Sequence, residues 1–153
     1  MILSYQTIKL RCLMDNMIEP WCERTIFEGM SYGLGPASYD FRIAQDITVC
    51  PNTLQLCSTI ERVKIPINIA ARVCDKSSWA RLGVVVQNTH FDPGFEGYPT
   101  IELTNHTNMP ISIKAGTPIC QFIFEFLDHS TQMPYRGKYQ NQPSEPIGAK
   151  YEK

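Results

Sequence analysis

From Val63 to Val73 apolar side chains recur at every second position: Val63, Ile65, Ile67, Ile69, Ala71 and Val73. Arg62, Lys64, Asn68 and Arg72 occupy the other parity. A period of two fits a strand with one buried and one wetter face, and no helix can hold it. Pro66 lacks the N–H that a ladder needs, so the run is expected as two strands or as an edge strand with a bend. The same alternation joins Tyr39, Phe41 and Ile43 against Asp40 and Arg42. Further strands are predicted over 84–88, 98–104, 111–114 and 119–127, the last with Cys120, Phe122, Phe124 and Phe126 on one face. Short strands separated by Gly, Pro and Asn turns favour an antiparallel sandwich, barrel or jelly roll. One helix is predicted over 4–14, with Ser4 as N-cap and Ile8, Leu10, Leu13 and Met14 as its apolar stripe.

The length of 153 residues suits one domain with a proper core. Residues 1–127 carry the apolar pattern, whereas 128–153 are polar and contain Pro134, Pro143 and Pro146. That tail is too poor in apolar residues to pack alone, so it is expected disordered or folded onto a ligand or a neighbouring subunit. A net charge of −1 argues against a general nucleic-acid coat, and any anionic ligand must be held by a few placed cations. No apolar run is long enough to span a membrane. The first residues lack the order of a secretory signal, which leaves a cytoplasmic chain as the expectation. Six cysteines, Cys12, Cys22, Cys50, Cys57, Cys74 and Cys120, are scattered without C-x-x-C spacing. They read as reduced, mostly buried thiols, and no zinc ligand set is visible.

Three segments carry candidate chemistry. Asp75-Lys76-Ser77-Ser78-Trp79-Ala80-Arg81-Leu82-Gly83 places two hydroxyls and two cations about a short turn of helical propensity, as a phosphate cradle or simply a capped turn. Asp92-Pro93-Gly94-Phe95 is a turn, followed by a strand in which Glu102 lies between Ile101 and Leu103. A carboxylate there faces either solvent or a cleft, and a cleft would raise its pKa toward that of a general base. Tyr135-Arg136-Gly137-Lys138-Tyr139-Gln140-Asn141-Gln142 interleaves cations, aromatics and amides, suited to closing over an anion that carries a planar base.

In order and spacing, these segments resemble the dCTP deaminase branch of the dUTPase-like superfamily. The matching pieces are Gly35-Pro36-Ala37-Ser38-Tyr39-Asp40, Lys76 to Gly83, Asp92 to Gly97, Thr100 to Leu103, Ala115 to Phe122 and Lys138 to Gln142. The resemblance implies an all-β, distorted jelly-roll or β-barrel subunit with one short N-terminal helix, assembled as a homotrimer with shared active sites. It also implies zinc-independent hydrolytic deamination of dCTP to dUTP and ammonia, with Mg2+ held through the triphosphate. Glu102 would then activate water, with Ser77 and Arg81 polarising the site. Lys76 and Ser78 would touch phosphates, Asp92 and Phe95 the deoxyribose, and Tyr135, Lys138 and Gln142 would close the tail. Lys76 stands where the family usually has Arg, a point charge in place of a fork. The alternatives are a bifunctional enzyme that continues to dUMP, a plain dUTP diphosphatase, and a non-catalytic nucleotide-binding regulator.

Overall fold

A computed structural model describes residues 1–151. Helix α1 (Tyr5–Asp15) leads into β1 (Ile18–Glu19), β2 (Thr25–Phe27) and β3 (Met30–Leu34), then β4 (Tyr39–Arg42), β5 (Ile47–Val49) and β6 (Leu54–Ser58). The alternating run forms β7 (Arg62–Lys64) and β8 (Ile69–Asp75), followed by the one-turn helix α2 (Ser77–Ala80). Then come β9 (Val84–Val86), β10 (His90–Phe91), β11 (Glu96–Gly97), β12 (Thr100–Asn105), β13 (Ile111–Ile113) and β14 (Pro118–Phe126). Pro66 divides the run as its missing donor requires, and Ile67, though of the buried parity, falls in the break and is half-exposed.

All pairs between these strands are antiparallel. The main sheet runs β10-β8-β14-β4-β3-β2, flanked by β1-β7-β11, β6-β12-β9 and the pair β13-β5. Among the described residues the protein is thus mostly β with two helices, and the four sheets do not close into a barrel. α2, absent from the expected all-β outline with one helix, arises from the helical propensity of Ser77 to Ala80 between two strands.

β14 pairs with β8 from Cys120 opposite Asp75 to Phe126 opposite Ile69, and with β4 on its other edge. Its alternation buries Cys120, Phe122 and Phe124 completely. The Phe122 ring lies 4.2 Å from Phe41 and 5.1 Å from Phe91, centroid to centroid. Cys12, Cys57 and Cys120 also lie in this core, and burial pushes the Cys12 and Cys57 thiols up to about 12. Cys22 and Cys74 are half-buried and Cys50 is exposed, so only half of the cysteines are buried.

α1 starts one residue after its expected cap, and the Ser4 hydroxyl meets Thr7 Oγ1 at 3.2 Å instead of capping the backbone. The buried stripe is Ile8 and Cys12, a one-turn repeat, while Leu10, Leu13 and Met14 face outward. The expected stripe mixed two faces of the helix, because residues two apart point away from each other.

The tail is held against the body of its own chain by backbone bonds. Tyr135 N–H donates to Pro93 O at 2.8 Å, Asn141 N–H to Glu96 O at 2.8 Å, and Tyr98 N–H to Gln142 O at 3.1 Å. The backbone supplies what apolar content could not: Gly97, at φ +147°, lets Gln142 approach so closely that a Cβ there would stand 2.6 Å from its nitrogen. Among the described residues no helix is long and apolar enough to cross a membrane.

Truncating the side chain at the centre of this core tests the packing. Phe122→Ala should cost about 3–5 kcal/mol, read as a lower denaturant midpoint; a loss under about 1 kcal/mol would place the core elsewhere.

Candidate functional site

Register in β12 sets the position of Glu102. The strand pairs with β6 on one side, Glu102 opposite Leu56, and with β9 on the other. Ile101 and Leu103 are buried, so Glu102 projects from the opposite face, half-buried, into a cavity of about 440 Å³. Thr89 Oγ1 donates to Glu102 Oε2 at 3.1 Å. Burial pushes the Glu102 carboxyl above the ordinary carboxylate range, and the Thr89 hydrogen bond pulls it part of the way back.

The same cavity gathers Asp92, Phe95, Tyr135 and Gln142, which the sequence singled out. Leu54 and Leu56 form an apolar wall, and Thr89, His90, Phe91, Thr100, Tyr139, Ile147 and Ala149 complete the lining. The Gln142 amide oxygen accepts from Thr100 Oγ1 at 3.1 Å, and the Thr100 hydroxyl in turn accepts from Ile147 N–H at 3.0 Å. Asp92 lies at the exposed mouth, 3.5 Å from His90 Nε2. Sequence reasoning missed Thr89, His90, Leu54 and Leu56, which follow no motif and enter through strand pairing. Tyr139 carried a signal, its place among the tail's cations and amides.

Ser77, Arg81, Lys76, Ser78 and Lys138 are not in this cavity. Lys76 and Ser77 line a second, polar cavity of about 270 Å³ with Arg24, Ser31, Ser38, Asp40 and Gln121. Lys76 is buried and its ammonium donates to Asp40 Oδ2 at 2.8 Å. Its charge is therefore already paired. Trp79 anchors the turn by donating from Nε1 to Pro118 O at 2.8 Å, which leaves Ser77, Ser78 and Arg81 on the exposed side. Lys138 is exposed, its ammonium 5.5 Å from the centre of the Tyr139 ring. No residue lines both cavities.

The division is chemical as well as spatial. Among the described residues the first cavity is lined by two carboxylates, aromatic rings and an amide, but by no Lys or Arg. The second holds two cations and several hydroxyls.

A family model described as dCTP deaminase-like matches residues 38–127. The chain belongs to the dCTP deaminase family. It is 35% identical to the dCTP deaminase of a Nitratiruptor species, over 88% of this chain and 91% of that one. Against the dCTP deaminase of Campylobacter jejuni subsp. jejuni serotype O:2 the identity is also 35%, over 88% of this chain and 90% of the relative.

Among solved structures, the 2'-deoxycytidine 5'-triphosphate deaminase of Agrobacterium tumefaciens superposes with a TM-score of 0.66 at 16% identity. That match takes in 82% of this chain but 47% of the other, so the chain spans about half of the Agrobacterium protein. The dUTPase of EIAV matches with a TM-score of 0.56 at 22% identity, over 67% of this chain and 85% of that one. At such identities the likeness is one of fold, and this chain shares that fold with dUTPases.

The Thr89 contact can be tested apart from turnover. Thr89→Val removes the side-chain hydrogen bond that favours the ionised Glu102, so the Glu102 pKa should rise further, followed by carboxyl-carbon NMR in a pH titration. An unchanged or lowered pKa would mean that Thr89 does not hold this carboxylate.

Proposed function

We propose that the deamination of dCTP to dUTP and ammonia, which goes with this family, is carried out here at Glu102. What supports this is a carboxylate fixed mid-strand in a half-buried cavity whose walls suit a planar base. Glu102 takes a proton from water as the oxygen attacks C4 of cytosine, and returns one to the exocyclic nitrogen. Ammonia leaves, and C4 keeps the new oxygen as a carbonyl once its remaining proton passes to N3. A carboxyl with a raised pKa serves both transfers, because the acid and base forms then lie closer in energy near neutral pH. Asp92 and Phe95 face the deoxyribose, and Tyr135 and Gln142 cover the nucleotide with the tail.

A nucleoside triphosphate brings several negative charges to a cavity whose described lining has two carboxylates and no Lys or Arg. Cations must come from elsewhere, and the second cavity is complementary to the first. We therefore propose a homotrimer in which Ser77, Arg81, Lys76 and Ser78 of one subunit complete the Glu102 cavity of its neighbour. Ser77 and Arg81 would stabilise charge developing at the base, while Lys76 and Ser78 meet the phosphates. Lys138 reaches them from the tail. The assembled subunit would be a distorted jelly roll, working in the cytoplasm.

Mg2+ fits as an ion that arrives on the nucleotide. The polar cavity offers one carboxylate, Asp40, and no group of three or more His, Cys, Asp or Glu among the described residues is arranged to hold a metal. Held through triphosphate oxygens, the ion would neutralise phosphate charge without a protein carboxylate of its own.

The test is to incubate the protein with dCTP, dCMP and dUTP plus Mg2+, measuring ammonia and pyrophosphate separately. Ammonia from dCTP without pyrophosphate is expected. Pyrophosphate from dUTP alone would contradict the reading, ammonia with pyrophosphate would mark a bifunctional enzyme, and binding without either product a regulator. Glu102→Gln should lower ammonia release at least about 100-fold while dCTP still binds. Retained activity would mean that Glu102 is not the base.

A further inference from the structure

Arg24 belongs to none of the segments that resemble the family, yet it lines the polar cavity with Lys76 and Ser77. Its position is fixed by the backbone. Gly33, at φ +86°, lets the chain at Cys22 and Glu23 press against it, so closely that a Cβ on Gly33 would lie 2.6 Å from Glu23 O. Leu34 N–H donates to Cys22 O at 3.1 Å and closes the contact. Arg24 follows directly, at the bend before β2.

The surrounding acids are already engaged. Glu23, its neighbour in sequence, accepts from the Tyr5 hydroxyl at 2.7 Å and from the Lys9 ammonium. Asp40, the one carboxylate of the cavity, is paired with Lys76. Arg24 has no ion-pair partner among the described residues. The lining therefore carries one unbalanced positive charge, with the hydroxyls of Ser38 and Ser77 as further donors, while Ser31 already donates to Asp40 Oδ2 at 3.5 Å. A planar fork of N–H groups beside free hydroxyls suits a doubly oxygenated anion such as a phosphoryl group.

We propose that Arg24 binds the terminal phosphoryl group of the substrate's triphosphate and so sets the preference for triphosphate over monophosphate. Lys76, neutralised by Asp40, cannot supply that discrimination alone. The assignment rests on the reading of the site as one for a deoxycytidine nucleotide.

The experiment compares wild type with Arg24→Ala and Arg24→Lys. Two readouts are used: binding of inorganic tripolyphosphate and of dCMP by calorimetry, and KM and kcat for dCTP. Arg24→Ala should weaken tripolyphosphate binding and raise KM for dCTP about 10-fold or more, the loss of a charge-assisted phosphate contact. Affinity for dCMP and kcat should stay as in wild type, with Arg24→Lys in between. Because Arg24 is exposed, the Tm of either variant should not move. Equal losses for dCTP and dCMP, or none for tripolyphosphate, would overturn the proposal. Failure of the underlying reading looks different: wild-type protein would release no ammonia from dCTP, while the tripolyphosphate comparison could still succeed.

Discussion

Everything else in the fold hangs on the burial of one face of β14. Seven register pairs tie it to β8, β4 lies on its other edge, and its phenylalanines fill the core between them. The same strand fixes the polar elements at its ends. Pro118 O receives the Trp79 indole and so holds α2, and the Gln121 side chain donates to Asp75 O at 2.8 Å, just before Lys76. β8 and β4, held side by side through β14, bring Lys76 within reach of Asp40. A register slip of one residue would turn this face outward and scatter those contacts together.

The fold separates charge from apolar recognition. β12, supported by β6 and β9, carries a carboxylate into a cavity walled by leucines and aromatic rings. The loops around β3, β4 and α2 collect the cations and hydroxyls. A nucleotide needs both surfaces, because its base favours the first and its phosphates the second. The two cavities share no residue, and the proposed trimer would bring the polar cavity of one copy to the Glu102 cavity of its neighbour.

The strands legible in the sequence were those with one buried face. The break at Pro66, the aromatic face of β14 and the position of Glu102 all follow from a period of two. Short strands such as β1, β10 and β11 span two residues each and hold no period to read. The helix was legible, but its buried face was not, because Leu10, Leu13 and Met14 are apolar without being inside. Nor could composition reveal that the tail is held by backbone bonds at Pro93, Glu96 and Tyr98, since such bonds leave no trace in side-chain type. The motif residues were found by type and order, but their partition between two cavities, the pairing of Lys76 with Asp40 and the entry of Thr89 depend on distant strand contacts.

In the proposed trimer, Glu102 and the Ser77–Arg81 turn act together only across subunits. Mixing two inactive parents, Glu102→Gln and Arg81→Ala, and letting subunits exchange tests it directly. In a trimer with sites shared between neighbours, random mixing at equal amounts rebuilds about a quarter of the sites with both groups intact. Recovery of about a quarter of wild-type ammonia release is the predicted result. If subunits are seen to exchange and no activity returns, each site is contained within one chain, contrary to the proposed trimer.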